Sequence, residues 1–221
     1  MITPAVLDVA LTAFVTLFVI IDPLGLLPIF ISVTKGTTLS HQRRMAIKGT
    51  LIGGAMLLFF ALLGDKFLAL LGVSLPSFRI AGGAMLFLMA LEMVFDKRSK
   101  RRESSAESMR DEIKAHENEH HAFDDVSVFP LSIPLISGPG AISSIMLLMS
   151  ANRDNLVHQG TVLLVLGVVL LITLILFLLA PRLEKLMGVT FTQIVSRVLG
   201  VILGALAIQY IVDGIKLSFA I

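Results

Sequence analysis

The chain has 221 residues, 56% hydrophobic and 15% charged, with a mean hydropathy of +0.91. A soluble domain carries about 25% charged residues, and here the apolar residues fall in long blocks, so the composition excludes a soluble globule and indicates a polytopic membrane protein. The net charge of +2 leaves no basic surface for nucleic acid, and the absence of cysteine excludes disulfides and thiolate metal sites.

The segment before Asp8 has no Lys or Arg, and the apolar run behind it outlasts a signal-peptide core, so an uncleaved first span is expected. That span runs from about Ala5 to Val33, longer than the ~20 residues a plain helix needs. Asp22-Pro23 interrupts it, with Gly25 and Pro28 close behind. Proline removes a backbone donor and clashes with the preceding turn, so two half-helices are expected. A polar turn from Lys35 to Arg44 follows, in which Ser40 could cap the second span, Ala46 to Leu63. Gly49, Gly53 and Gly54 share one face there, a spacing that lets helices approach closely.

Asp65-Lys66 opens a connector to span three, Pro76 to Phe95, which begins near Arg79 and has an interfacial Glu92. Residues 98–124 form a charged linker with no apolar face to bury, read as solvated and cytoplasmic. His116, His120 and His121 lie in it; the i, i+4 pair lacks a carboxylate frame, and no metal site is assigned. Span four runs from Val126 to Ser150 and carries the second interruption, Ser137-Gly138-Pro139-Gly140. Span five, Gly160 to Ala180, is almost purely Leu, Val and Ile and is expected to face lipid. Span six covers Arg197 to Val212.

The two halves repeat. Gly72 pairs with Gly188, Pro23 with Pro139, and Arg79-Ile-Ala-Gly82 with Arg197-Val-Leu-Gly200. The separations are 188−72 = 116, 139−23 = 116 and 197−79 = 118. The expected fold is therefore an all-α membrane protein of six transmembrane helices, arranged as two inverted three-helix repeats. Residues 1–97 and 125–221 form the repeats, with broken helices in spans one and four. Three spans per repeat is an odd number, so the second repeat must be inverted, as in many secondary transporters. Lys and Arg in alternate loops number fourteen on the linker side and four on the other. The positive-inside rule then puts both termini outside the cytoplasm, in a cell inner (plasma) membrane.

Breaks at matching places in two halves mark a substrate site near the midplane, because irregular backbone survives in lipid only where protein buries it or it lines a cavity. Its candidate residues are Asp22, Pro23, Gly25, Ser137, Gly138, Pro139, Gly140, Ser143 and Ser144. Asp22 is an acid between apolar segments, suited to a proton, a sodium ion or an ammonium group. The plainer reading makes it only the N-cap of the second half-helix, with proline at N1. The Gly138-Pro139-Gly140 turn opens a half-helix whose first amides can hold a carboxylate. Against this stands a simple proline kink, with serines bonding back to the preceding turn. Arg79 and Arg197 are candidate gating or inter-repeat contacts, or else snorkel to an interface. Gln209 is a candidate hydrogen-bonding group across helices. No nucleotide-binding loop or intramembrane protease motif is present, so no enzymatic activity and no cofactor is expected beyond a coupling Na+ or H+.

Three motifs carry a resemblance: Asp22-Pro-Leu-Gly25-Leu-Leu-Pro28-Ile-Phe, Arg79-Ile-Ala-Gly-Gly83 and Ile133-Pro-Leu-Ile-Ser-Gly-Pro-Gly140. Together they resemble signatures of the MarC family of integral membrane proteins, and the length, six spans and central charged loop fit along the whole chain. The family takes its name from a multiple-antibiotic-resistance locus, and a branch of it is described as small neutral amino acid transporters that move glycine and alanine with a cation gradient. The resemblance implies the same here: a cation-coupled carrier of a small-molecule substrate, embedded in the lipid bilayer. A small site and a chain without tryptophan suit compact zwitterions. The competing classes are a channel, a membrane scaffold that recruits partners through the charged linker, and an antibiotic efflux protein.

Overall fold

Proline and glycine punctuate the apolar runs, and the helices begin and end at that punctuation. The computed structural model describes residues 4–34, 36–95, 97, 136–183 and 189–219, with backbone only for 189–193. Among these, seven helices follow in order: α1 (Pro4–Ile21), α2 (Pro23–Thr34), α3 (Leu39–Leu70), α4 (Leu75–Val94), α5 (Pro139–Ala151), α6 (Leu156–Leu183) and α7 (Val189–Phe219). The described residues contain no strand. Five helical segments are long and apolar enough to cross a membrane when Pro4–Thr34 is taken as one, and α5 is a shorter apolar helix. The described residues are thus all-helical, and the protein is a multi-pass membrane protein. The charged linker, its three histidines and the first part of the expected fourth span lie outside the described residues.

The helices outrun the apolar blocks that announce them. α3 starts at Leu39, seven residues before the expected span, and carries His41, Gln42, Arg43 and Arg44 on its first turns. Its N-cap is Thr38, whose hydroxyl accepts from the His41 N–H at 3.3 Å, so Ser40 lies inside the helix and does not cap it. α3 ends with Gly72 at φ +70°, where the Val73 N–H donates to Leu68 O at 3.0 Å and closes the last turn. Glycine adopts that left-handed conformation without steric cost. Ser74 then caps α4, with Pro76 in its first turn.

Lipid offers no hydrophobic drive between helices, so close packing by small residues decides which helices meet. The most extensive pairing is α4 with α7. A Cβ built on Gly83 would lie 2.8 Å from the Ala207 carbonyl oxygen, and one built on Gly200 would lie 3.1 Å from that of Ala90. Further along, one built on Gly214 would lie 2.9 Å from Pro76 O. The helices therefore run antiparallel and touch through their backbones. The contact is reciprocal: Gly83 and Gly200, Leu86 and Leu203, and Ala90 and Ala207 occupy equivalent places (200−83, 203−86 and 207−90 are each 117).

Around this pair, α6 packs on α1, α2 and α3, while α5 packs on α3, α4 and α1. Span five was expected to face lipid, and one face of α6 is exposed, with Leu164, Leu171 and Ile175 on it. The other face, with Val162, Leu166, Val169, Thr173, Phe177 and Ala180, is buried, and Phe177 stacks on Phe30 of α2 at 4.5 Å. The buried residues recur every three or four positions, as one helical stripe should.

Candidate functional site

The first interruption is a single residue. Asp22 has φ +54°, the one non-glycine residue in the left-handed region among those described, and only 4% of its surface is exposed. Its N–H donates to Phe18 O at 2.9 Å, closing α1, and its carbonyl accepts from the Leu26 N–H at 3.0 Å, opening α2. The side chain bends forward: Oδ1 accepts from the Gly25 N–H at 3.1 Å. This is an N-cap bond to the third helical residue, with proline at the first. Gly25 is required there, since a Cβ at that position would run into the Asp22 carboxylate.

Helix geometry gives the consequence. Pro23 has no N–H to offer Val19 O, and the Gly25 N–H that would serve Ile21 O is turned to Asp22. Two carbonyls are thereby released from the helical ladder beside a buried carboxylate.

The second candidate stretch is described from Ile136 onward, where it opens a helix. Gly138 is the N-cap of α5, with extended backbone and no side chain to cap with, and Pro139 follows. The ladder begins with the Ile142 N–H donating to Gly138 O at 3.1 Å, so the amides of Gly140 and Ala141 precede it. Such amides carry the partial positive charge of the helix N-terminus. Ser137, Ser143 and Ser144 are all buried. Ser137 Oγ donates to Met56 Sδ at 3.5 Å, and Ser144 Oγ donates to Gly140 O at 2.8 Å, the back-bond of the plain-kink reading. Ser143 borders Gly82 of α4, 3.7 Å from a Cβ built there.

The start of α5 lies beside the end of α1. A Cβ on Gly140 would sit 3.8 Å from Ile20 Cγ2, two residues before Asp22, and against Met89 Sδ of α4. Glycine at 140 thus lets the start of α5 nestle between the end of α1 and the middle of α4.

The gating candidates separate. Arg79 lies at the α4–α7 contact, its Cβ 3.1 Å from a Cβ built on Gly214, and its buried Nε has no hydrogen-bond partner. Arg197 is exposed on the first turns of α7. Because α4 and α7 are antiparallel, the two arginines sit toward opposite ends of the pair and do not meet. The packing register of 117 also makes Arg197 the equivalent of Ile80, one residue out of step with Arg79. Gln209 makes no bond across helices: it is exposed, and its Nε2 donates to Asp213 Oδ1 in its own helix at 2.9 Å. The structure adds a group that the sequence alone did not single out. Tyr210 lies beside Thr16, Arg79 and Asp213, joining α1, α4 and α7. The lone tyrosine inside an apolar run was the available signal.

A family model described as "MarC family integral membrane protein" matches residues 7–219. The chain belongs to the MarC family. Its relatives include a UPF0056 membrane protein of Methanocaldococcus jannaschii, 35% identical over 92% of this chain and 94% of its own. YhcE, a UPF0056 membrane protein of Escherichia coli, is 30% identical over 92% of this chain and 90% of its own. YvbG, a UPF0056 membrane protein of Bacillus subtilis, is 30% identical over 94% of both chains. No solved structure matches. The MarC match covers Asp22, the start of α5 and the α4–α7 pair.

Proposed function

We propose that the chain is a cation-coupled secondary transporter of small neutral amino acids, of the glycine and alanine class, working by alternating access. The observation that supports this most is that the start of α5, whose N-cap Gly138 has no side chain, packs beside the end of α1, two residues before the buried Asp22 carboxylate and the released carbonyls. The pairing suits a zwitterion. Its carboxylate would take the amides of Gly140 and Ala141, and its ammonium group would face Asp22 and the carbonyls of Val19 and Ile21. Sodium or a proton would share the Asp22 side.

Two inverted three-helix halves, 1–97 and 125–221 around the linker 98–124, would rock about this site. Packing supports the symmetry: α2 on α6 mirrors α3 on α5, α2 on α7 mirrors α4 on α5, and α4–α7 and α3–α6 are self-paired. The reciprocal contacts of Gly83 and Gly200 agree with it. In this reading the linker is cytoplasmic and both termini lie outside, in the plasma membrane.

Purified protein in liposomes should accumulate labelled glycine or alanine when a sodium or proton gradient is imposed. Absence of accumulation under either gradient sinks the proposal, and single-channel currents would replace it with a pore. For orientation, a reporter fused at Ile221 should read as external, and a cytoplasmic reading would remove the inversion.

A further inference from the structure

The end of the bundle where α2 stops holds a cavity. Thr34 Oγ1 donates to Phe30 O at 2.7 Å, and Thr37 Oγ1 donates to Thr34 O at 2.7 Å. Gln42 Nε2 then donates to Thr34 O at 3.3 Å and Thr37 O at 3.4 Å, tying the first turn of α3 back onto the end of α2. The stack of Phe30 on Phe177 fixes α6 against the same place. Between the tied turn and the last turns of α6 lies a cavity of about 180 Å³.

Its lining grades from apolar to cationic. Phe177 is buried, Leu39, Leu178 and Pro181 form the apolar wall, and Arg43 and Arg182 are exposed. Gln42 also lines it, but its amide nitrogen is committed to the two carbonyls above. Among the described residues neither guanidinium makes an ion pair. Arginines from two different helices, with no acid among the described lining residues, line one apolar-walled cavity.

We propose that this cavity binds the phosphate of an anionic phospholipid, with the acyl chains leaving over Leu178 into the bilayer. Guanidinium groups match phosphate oxygens bidentately, and basic pockets between spans are suited to anionic head groups. A volume of about 180 Å³ is about six water volumes, enough for a phosphate and its first ester carbons. The apolar wall favours a lipid over free phosphate, which would gain nothing from Phe177 or Leu178. Occupancy would brace α6 against the α2–α3 turn, and so couple lipid composition to the packing of the first interruption's half-helix.

The test uses the full chain in a non-ionic detergent, with lipid retention read by native mass spectrometry. Wild-type protein should retain phosphatidylglycerol over phosphatidylcholine by about tenfold or more. Arg43→Gln with Arg182→Gln should weaken phosphatidylglycerol by about thirtyfold, since two basic contacts are lost. Arg43→Lys with Arg182→Lys should fall between, and Arg44→Gln, outside the cavity, should match wild type. Equal retention of the two lipids by wild type overturns the proposal whatever the variants do. Displacement of retained phosphatidylglycerol by an equal concentration of inorganic phosphate overturns the lipid assignment in favour of a soluble anion.

Discussion

The α4–α7 contact and the α1–α2–α5 junction draw on the same small residues for opposite ends. At α4–α7 the helices are unbroken, and Gly83, Gly200 and Gly214 remove side chains so that backbone meets backbone. At the junction, Pro23, Gly25, Pro139 and Gly140 interrupt or open helices, and the gaps are closed by a carboxylate or left to amides. The difference is whether the hydrogen-bond ladder is intact. An intact ladder makes glycine a packing device, and a broken one makes it part of a polar site. The first kind should be intolerant of volume, the second of changed polarity.

The largest effect should therefore come from volume at the closed contact. Gly83→Leu would drive a side chain into Ala207 O and the Ile211 backbone nitrogen, 2.8 and 3.1 Å from where its Cβ must stand. Overpacking costs about 1–3 kcal/mol and sometimes more, and rigid backbone on the far side puts this change at the upper end. Gly167→Leu, where a Cβ meets nothing within 4 Å, should be nearly silent. Detergent-unfolding midpoints of the two variants separate them, and equal midpoints would mean that α4 and α7 are not in backbone contact.

Next comes Asp22→Ala. It deletes a cap, at about 0.5–2 kcal/mol, and leaves an alanine at φ +54°, at about 1–2 kcal/mol. Asp22→Gly relaxes the backbone and should recover much of the loss. Gly25→Ala should reach a similar loss from the other side, because its Cβ expels the carboxylate from its place. Should Asp22→Ala and Asp22→Gly unfold alike, the left-handed backbone contributes nothing.

These variants also mark what was legible in the sequence. The break at Asp22-Pro23 and the start of α5 at Pro139 could be read because proline cannot complete a helical ladder, and that holds in any surroundings. The left-handed backbone of Asp22 could not be read, since an aspartate before proline also caps from extended backbone. Hydropathy located the spans but not the helix ends: His41 to Arg44 are polar yet continue α3, because a helix need not stop where the bilayer does. The buried face of α6 was hidden because lipid and protein neighbours both select Leu, Val and Ile. Gln209 read as a cross-helix group, although Asp213, one turn on, already offered it a partner. The α4–α7 register of 117 falls between the separations of 116 and 118 read from the landmarks, because matching arginines weighted a residue that does not pack.

A smaller effect is expected at the junction when only volume changes. Gly140→Ala puts a methyl group against Met89 Sδ, which is the mobile end of a flexible side chain and can swing aside. The cost should stay below about 1 kcal/mol, well under that of Gly83→Ala, where the obstacle is backbone. If Gly140→Ala proves the worse of the two, the junction is the tighter contact and the contrast drawn above is inverted.

Asp22→Asn should disturb stability least and decide most. Asparagine caps about as well as aspartate and is among the few residues that accept left-handed backbone, so the bond to the Gly25 N–H and the φ of +54° can both persist. What disappears is one negative charge from a buried position, next to the released carbonyls. If that charge holds the coupling cation or proton, concentrative uptake should be lost, while folded protein accumulates normally and gradient-free exchange continues. If Asp22 serves only as a cap, uptake should follow wild type across pH and sodium concentration. Uptake at matched membrane abundance distinguishes the two, and wild-type accumulation by Asp22→Asn would move the coupling ion away from the first interruption altogether.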